Sequence, residues 1–251
     1  MHIVGITGSI GSGKTTFARF LADNAEKSRH FESWLVIAEV ANAWRAQTHK
    51  HPNSDDLQAI NDWLRLLAPI AAKICRVPVK YEQLAVSEAV LRDGPPRYAK
   101  LLEYLELVHQ RPGLQQGEIT EESKEMFRSL LQWLGGYFEK HVQSGVWYDE
   151  IIRRVQSTKN IELATVGGVR FPADARRISQ AGGVVIQIDR PSIVTKDASE
   201  VTERDRSLIV PDATIINDAG LPELRSVAAL VWRNITQDQL LTEYSAAAVQ
   251  A

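Results

Sequence analysis

The feature that most constrains the fold of this chain is a glycine-rich stretch near its start, GITGSIGSGKTTFARF, at residues 5–20. Its centre has the spacing G-x-x-x-x-G-K-[ST]. Residues 3–7 before it are apolar and suited to a strand, and Phe17, Phe20 and Leu21 follow at helical spacing. A strand, a glycine loop and a helix in this order direct several backbone N–H groups towards one point. The stretch therefore predicts an α/β fold that opens on an anion-binding loop.

A loop of this spacing is typical of P-loop proteins and predicts that the chain binds a nucleoside triphosphate. Glycines let the backbone fold around a polyphosphate without Cβ clashes, and the helix N-terminus adds a partial positive charge. The ammonium of Lys14 can reach the β and γ phosphates, and the hydroxyl of Thr15 can bind Mg²⁺, which prefers oxygen ligands. The residues predicted to contact ATP here are Ser9, Gly11, Ser12, Gly13, Lys14, Thr15 and Thr16.

The rest of the chain reads as strands and helices around a helical middle. Residues 33–40, SWLVIAEV, are predicted to form a second buried strand that ends near Glu39. A helix predicted in DDLQAINDWLRLLAPIAAKI is expected to kink or end at Pro69, and a longer helical stretch is predicted at residues 121–143. Further strands are predicted in IELATVG, VVIQID and DATIIND, followed by a closing helix and a C-terminus that is expected to fray.

This alternation predicts an α/β protein of the P-loop NTPase class, a three-layer αβα fold with a mostly parallel sheet and a large helical insertion. Residues 1–44 and 156–251 are predicted to form the nucleotide-binding core. Residues 45–155 are predicted to form the helical insertion that binds the phosphate acceptor.

Composition argues against several other classes of protein. The formal net charge is −2, so the chain has no general basic surface and we expect no nucleic-acid partner. Its single cysteine, Cys75, rules out an internal disulfide and is expected to be buried. With no targeting segment and no apolar membrane window in view, we expect a soluble cytoplasmic protein.

Two histidine side chains and the larger aromatic side chains are expected to have structural rather than ligand-binding roles. His49 and His51 fall in a polar stretch and are expected to be solvated. The larger aromatic side chains are expected in the core rather than stacked on a base; they are Trp63, Trp133, Tyr137, Phe138 and Trp147.

Five stretches of the chain carry a resemblance to known kinases. GITGSIGSGKTT resembles the start of dephospho-CoA kinases and of P-loop nucleotide kinases more widely. FRSLLQWLGG at 127–136, GGVRFPADARRISQAGGVVIQIDRP at 167–191 and PDATIINDAGLPEL at 211–224 resemble deoxynucleoside monophosphate kinases of the bacteriophage type, and ASE at 198–200 resembles the start of their lid. Residues 45–120 match no part of these families.

The resemblance implies roles for several polar residues, with ATP and Mg²⁺ as cofactors. Arg170 would bind the acceptor phosphate and take part in catalysis, since a planar guanidinium grips phosphate bidentately. Asn217 and Asp218 would form the turn on the adenine side of the nucleotide, with contact largely through the backbone. On a shared helix face, Arg128 and Gln132 would contact the acceptor. One or two of the arginines that flank the lid would close on the ATP phosphates; the candidates are Arg190, Arg204 and Arg206.

Two departures from the family pattern bear on activity. Gly168 stands where these kinases usually have an acid two residues before the arginine, and Asp197 stands where a histidine is common. We expect Glu39 to replace the missing acid, because dephospho-CoA kinases place an acid near the end of the second strand. Lys14, Glu39 and Arg170 are thus the expected catalytic residues.

The function implied is an ATP- and Mg²⁺-dependent kinase that transfers the γ-phosphoryl group to a deoxynucleoside monophosphate or related nucleotide. Two alternatives stay open. One is a dephospho-CoA kinase-like enzyme, and the other is a non-catalytic ATP-binding protein, which Gly168 motivates. A GTPase is disfavoured because the sequence has no Asn-Lys-x-Asp motif. The expected partner is a small nucleotide substrate, with a homodimer left open.

Overall fold

The computed structural model of the chain describes residues 1–48, 50–89, 96–193 and 206–250. Its centre is a six-stranded sheet in which every neighbouring pair of strands is parallel, in the order β2-β3-β1-β4-β5-β6. The strands are β1 (His2–Thr7), β2 (Ser28–Glu32), β3 (Leu163–Gly167), β4 (Val184–Asp189), β5 (Ala213–Ile216) and β6 (Glu243–Ser245). The α/β class and the parallel sheet predicted from the sequence are therefore confirmed.

Helices connect the strands and build the middle of the chain. The α-helices are α1 (Lys14–Ala22), α2 (Ser33–Arg45), α3 (Leu57–Cys75), α4 (Tyr81–Leu84), α5 (Pro96–Gln110), α6 (Arg128–Tyr137), α7 (Val146–Ser157), α8 (Pro172–Gln180) and α9 (Leu221–Thr236). Shorter turns of helix are Pro112–Gln115, Lys124–Phe127 and Ala247–Gln250, of 3₁₀ type, and Phe138–Val142, of π type. None of the helices in the described ranges is both long and apolar enough to cross a bilayer.

The chain divides into two compact units. The first comprises residues 1–33 and 151–251 and contains the whole sheet. The second comprises residues 34–150 and contains most of the helical middle. The sequence predicts the corresponding boundaries near residues 44 and 156, so the second unit begins about one helix earlier than predicted because α2 belongs to it.

The core of the first unit lies on the face of the sheet that α1 and α9 cover. Strand residues Val4, Ile6 and Ile215 are at most 1% exposed there, and Phe17 of α1 and Val227 of α9 are fully buried against the same cluster. The long apolar β1 is buried from its second residue to its end, which is typical of a central parallel strand covered on both faces. This burial fixes the carboxyl end of β1, from which the glycine-rich loop starts.

The predicted second strand at residues 33–40 is wrong, because this segment is the first part of helix α2. Its buried residues recur at helical rather than alternating spacing and lie along one stripe; they are Val36, Ile37, Val40, Ala41 and Trp44. The actual β2, SRHFE, is an edge strand with one buried residue, Phe31, so its sequence carries little hydrophobic signal.

Other predicted elements differ in length or continuity. Helix α3 continues through Pro69 to Cys75, so the proline does not end it. The stretch predicted as one helix at 121–143 is divided into 3₁₀, α and π segments. The C-terminus forms a sixth strand in which Tyr244 is only 8% exposed, where fraying was expected.

Aromatic side chains form the core of the second unit. Trp44 and Trp63 stack with ring centroids 3.7 Å apart, and Trp133 lies 6.0 Å from Trp44. His51 is 4% exposed, so the expectation that it is solvated is wrong, and His49 lies outside the described residues. Cys75 is buried as predicted. The predicted core positions of the larger aromatic side chains are confirmed by their burial; these are Trp63, Trp133, Tyr137, Phe138 and Trp147.

Candidate functional site

The stretch that most resembles a ligand-binding site is the glycine loop, which we define as residues 8–13, between β1 and α1. Three of its residues have positive φ: Gly8 at 141°, Gly11 at 80° and Gly13 at 101°. This backbone conformation is open to glycine and strained for other residues. The glycine spacing found in the sequence therefore corresponds to a loop that turns through three positive-φ positions before α1 begins at Lys14.

Two of these glycines also allow a close approach that a side chain would prevent. A Cβ on Gly8 would collide with the carbonyl oxygen of Ile188 near the end of β4. A Cβ on Gly13 would lie 2.6 Å from Nδ2 of Asn217, just beyond the end of β5. The loop is thus packed against the ends of two neighbouring strands.

The position of the loop within the sheet is one that parallel α/β proteins use for ligands. β1 lies between β3 and β4, and the chain leaves β1 for the β2 edge but later returns across it to β4. Ligands in open parallel sheets bind outside the carboxyl ends of the strands, where the direction of winding reverses. The glycine loop lies at this point, and the first turn of α1 adds the partial positive charge of a helix N-terminus.

Lys14 folds back over the loop that precedes it. Its Nζ donates hydrogen bonds to the carbonyl oxygens of Gly8 at 2.8 Å and Ser9 at 2.5 Å. An ammonium group at the mouth of a loop of this kind is a point charge suited to phosphate oxygens. The remaining predicted ATP contacts differ in exposure: Thr15 and Gly11 are exposed, Thr16 and Gly13 are half-buried, and Ser9 and Ser12 are buried.

Asn217 contacts the loop from the end of β5. It is 7% exposed, and its Nδ2 donates to the carbonyl oxygen of Ser12 at 2.8 Å. Its backbone N–H donates to the carbonyl of Asp189 at 2.6 Å, which ties the ends of β4 and β5 together. The Ser12 hydroxyl is buried without a hydrogen-bond partner among the described residues, so the loop still has a donor to offer.

An acid that sequence reasoning missed lies at the end of β2. Glu32 pairs in register with Gly167 of β3, and a Cβ on Gly167 would lie 2.7 Å from its Oε1. The same Oε1 lies 3.0 Å from Nε2 of His30, whose Nδ1 lies 2.8 Å from Oγ1 of Thr165. Glu32 therefore occupies the strand-end position that the sequence predicts for Glu39, and Gly167 leaves room for its carboxylate.

A second acid, Asp189, is the last residue of β4. Its carboxylate accepts a hydrogen bond from Nε2 of Gln187 at 2.7 Å. It directly follows Ile188, whose carbonyl faces Gly8, so it lies beside the start of the glycine loop. The sequence carries a signal for this acid, because the predicted strand VVIQID ends in it. Glu32 cannot be recognised as a strand-end acid from the sequence, because the edge strand β2 that contains it has no apolar pattern.

The segment after β3 accounts for the glycine at position 168. Gly168 has a φ of 71°, a left-handed conformation that an acidic side chain would adopt only at some cost. Asp174 is 2% exposed and accepts from the backbone N–H of Arg170 at 3.2 Å and of Phe171 at 3.0 Å, so it caps α8. The Arg170 side chain is exposed just beyond the carboxyl end of β3.

The other predicted residues are dispersed. Glu39 lies within α2 of the second unit rather than at a strand end, so the reason for selecting it is wrong. Arg128 and Gln132 are exposed in the second unit, and Arg128 pairs with Glu125 at 2.9 Å. The lid residues are described only in part: Arg190 is exposed directly after β4, Arg206 is half-buried, and Arg204 and Asp197 lie outside the described residues.

Two pKa shifts mark polar groups near these regions. The pKa of Asp218, next to Asn217, is lowered because the backbone N–H of Ala247 and the hydroxyl of Ser245 donate to its carboxylate. In the second unit, burial and the charge of Arg45 lower the pKa of His51 to about 4. His51 is therefore neutral at pH 7.

In the described parts of the chain, no three histidine, cysteine or acidic side chains cluster closely enough to hold a metal ion by themselves. The side chains that could contribute oxygen ligands at the loop are Thr15 and Asp189, a hydroxyl and a carboxylate that suit Mg²⁺. Glu32 ends the edge strand β2, which β3 separates from β1. No protein-family model matches this chain, and no curated protein was found to be similar to it.

Proposed function

We propose that this protein is a P-loop kinase that transfers the γ-phosphoryl group of ATP to a small nucleotide-type acceptor with the help of Mg²⁺. The observation that carries the proposal is the glycine loop itself. It has three positive-φ glycines and a lysine, and it joins a buried central strand to a helix N-terminus at the winding reversal of a parallel sheet. Both the sequence spacing and the loop geometry suit a bound triphosphate.

In this proposal the loop residues bind and orient the triphosphate. Backbone N–H groups of the loop donate to phosphate oxygens, and Lys14 exchanges its two carbonyl partners for the transferred phosphoryl group. Thr15 at the loop and Asp189 beside it would hold Mg²⁺, which would neutralise the charge that develops on the phosphates. Glu32 lies on β2, three strands from β4, and is too far from Asp189 to share the same ion. Arg170 remains the predicted ligand of the acceptor, and Arg128 and Gln132 remain predictions for the acceptor site.

The acceptor class determines what Glu32 does. A phosphate oxygen of a nucleoside monophosphate is already deprotonated at neutral pH and needs no base, whereas a sugar hydroxyl must lose its proton during transfer. Glu32 lies at the strand ends beside Gly167, where it could accept such a proton. A deoxynucleoside monophosphate is our first-choice acceptor, and Glu32 favours dephospho-CoA, which presents a hydroxyl, as the second.

The activity is tested by incubating the purified protein with ATP, Mg²⁺ and each of a panel of deoxynucleoside monophosphates and dephospho-CoA, and following ADP release. We expect one acceptor class to raise ADP release well above the rate with ATP alone. If ATP binds but no acceptor does so, the kinase proposal fails, and a non-catalytic ATP-binding protein, which Gly168 already motivates, becomes the better description.

Turnover of the Glu32→Gln variant tests whether Glu32 or Glu39 takes the place of the acid that Gly168 replaces. With a hydroxyl acceptor we expect turnover to fall by about 10²- to 10⁴-fold, the usual loss of a general base. With a monophosphate acceptor, which needs no base, we expect a smaller loss. Glu243→Gln, an exposed acid at the start of β6, serves as the matched control and should leave turnover unchanged. Loss of turnover in Glu39→Gln but not in Glu32→Gln would reverse the assignment.

A further inference from the structure

We propose that Asn217 is a positioning residue for the glycine loop: it holds the Ser12 carbonyl so that the Gly13 N–H is presented to phosphate. This inference rests on the proposed function and makes it more specific. The resemblance to nucleotide kinases places Asn217 on the adenine side of the nucleotide. In the structure its side-chain amide is instead committed to the loop, 2.8 Å from the Ser12 carbonyl oxygen.

The geometry of one peptide bond links the two residues. The described peptide bonds include no cis bond, so the Ser12–Gly13 peptide is trans. In a trans peptide the C=O of one residue and the N–H of the next point in opposite directions. Because the Ser12 carbonyl points to Asn217, the Gly13 N–H points to the opposite side of the loop. One hydrogen bond from the strand end therefore fixes the direction of a loop amide.

The surroundings of this hydrogen bond make it hard to replace. Asn217 is buried, and its own backbone N–H is bonded to Asp189, so the side chain starts from a fixed point. The Asn217 side-chain amide packs directly against Gly13, since a Cβ on Gly13 would lie 2.6 Å from Nδ2 of Asn217. Gly13 has a φ of 101°, and because it is a glycine its backbone can also adopt other conformations at little cost. Without the Asn217 amide, the Ser12–Gly13 peptide would lose this anchor and could rotate.

Lys14 complements Asn217 at the other end of the loop. Its Nζ binds the carbonyl oxygens of Gly8 and Ser9, so by the same argument the N–H groups of Ser9 and Ile10 point away from the lysine. When a triphosphate attracts the ammonium, these two carbonyls lose a donor. The Ser12 carbonyl keeps its partner, because Asn217 is uncharged and buried. Asn217 is thus the anchor that persists when ligand binds.

The test compares binding of ATP with binding of inorganic tripolyphosphate, which has no base, by titration calorimetry on the full chain. For Asn217→Ala we expect the affinity for both ligands to fall by a similar factor of roughly ten, the effect of one lost buried hydrogen bond. Asn217→Asp should lose at least as much, because it places an acceptor against the Ser12 carbonyl. If Asn217→Ala weakens ATP but not tripolyphosphate, the side chain acts on the base and the positioning role is overturned.

Asn234→Ala is the matched control for a purely structural effect. Asn234 also donates a side-chain amide hydrogen bond in the first unit, to the hydroxyl of Tyr244 at 2.9 Å, and that bond is made in α9 rather than at the loop. We expect Asn234→Ala to lower thermal stability while leaving both affinities as in wild type. Equal losses of affinity in the Asn217 and Asn234 variants would overturn the proposal, because a general loss of stability would then explain both.

A second measurement begins with the wild-type protein. In ¹⁵N-labelled protein the amide resonance of Gly13 should shift downfield on saturation with tripolyphosphate, and this shift should be reduced in Asn217→Ala. If wild-type protein binds tripolyphosphate but the Gly13 resonance does not move, the inference fails while the proposed function stands. If wild-type protein binds neither ligand, the proposed function fails first.

Discussion

At the scale of single residues, Lys14 is bonded to the loop itself, and in the proposed function it would also bind the ligand. Its ammonium is bonded to two carbonyl oxygens of the glycine loop, which gives the loop a defined shape before any anion arrives. Phosphate oxygens carry more charge than carbonyls and compete well for the same ammonium. If the proposed function holds, ligand binding and loop shape are therefore coupled through this lysine.

Lys14→Ala is expected to lower turnover by at least about a hundredfold, because it removes a charged donor from the developing phosphoryl charge. It should also weaken ATP binding, since the loop loses both its ligand donor and its own internal cross-link. ADP release and calorimetric titration with ATP measure the two effects. Lys27→Ala, at an exposed lysine of the same unit, is the control that should change neither. Retained turnover in Lys14→Ala would count against the assignment of the phosphate site.

The residues of the candidate site differ in how far the sequence can predict them. The loop is predictable because its spacing, its glycines and its flanking strand all lie within one short stretch. Glu32 is not, because an acid can be assigned to a strand end only when the strand is recognised. Asn217 is predictable as a polar residue after a strand, yet its bond to Ser12 depends on a long-range packing arrangement that no local pattern encodes.

At the scale of elements, the same reasoning explains which strands can be found. The predicted strands that correspond to β3, β4 and β5 lie inside the sheet and are runs of apolar residues bounded by turn residues. The strands absent from the prediction, β2 and β6, are the two edges of the sheet. Edge strands are often short, and these two bury only Phe31 and Tyr244, so their hydrophobic pattern is weak. Helix α2 resembles a strand in sequence because its start is rich in β-branched and aromatic residues.

Pro69 in helix α3 is a case where the tertiary structure overrides a local preference. Proline removes an N–H donor from a helix interior and its ring crowds the carbonyl four residues earlier, so it usually ends or bends a helix. Here α3 runs from Leu57 to Cys75 through an exposed Pro69. Buried residues on both sides of the proline, such as Leu67 before it and Ala71 after it, hold the two halves in one helix.

Pro69→Ala is therefore expected to raise the free energy of unfolding by about 1–2 kcal/mol, since it restores a helix hydrogen bond and loses only the entropy benefit of proline in the unfolded chain. Urea unfolding followed by tryptophan fluorescence measures the change. Lys73→Ala, a substitution at an exposed position of the same helix, should stay within about 0.5 kcal/mol of wild type. A less stable Pro69→Ala protein would mean that the restriction that proline places on the unfolded chain outweighs the restored hydrogen bond.

At the scale of the whole molecule, each unit has its own core and its own kind of polar burial. The first unit buries Ser9, Ser12 and Asn217 of the candidate site, and the second buries a cation. Arg45 is 3% exposed, donates to the hydroxyl of Tyr104 at 2.9 Å, and lies over the ring of Phe127 at 4.4 Å. It also donates to the carbonyls of Leu114 and Gln115. In the described part of the chain the acceptors that bond Arg45 are all neutral oxygens, which do not cancel its positive charge.

Burial of His51, together with that charge, makes the second unit sensitive to acid. The His51 ring is buried, its Nδ1 lies 3.3 Å from the Tyr104 hydroxyl, and burial together with Arg45 lowers its pKa to about 4 from 6.5. Between these two pH values the unfolded chain binds a proton that the folded chain does not. The contribution of neutral His51 to the free energy of unfolding is therefore fully present above pH 6.5 and is lost as the pH falls towards 4.

We expect His51 to account for a loss of about 2 kcal/mol in the free energy of unfolding between pH 7.5 and pH 4.5. Other groups titrate in the same range, so the informative quantity is the difference in pH dependence between wild type and His51→Gln, which cannot gain a proton. Urea unfolding at several pH values, followed by the fluorescence of the buried tryptophans of the second unit, measures it. The variant should be less stable than wild type at pH 7.5, but its free energy of unfolding should fall less on acidification, because it has no imidazole to protonate. Parallel pH profiles for the two proteins would show that the cluster does not oppose protonation of the buried imidazole, and that the charge of Arg45 is not felt there.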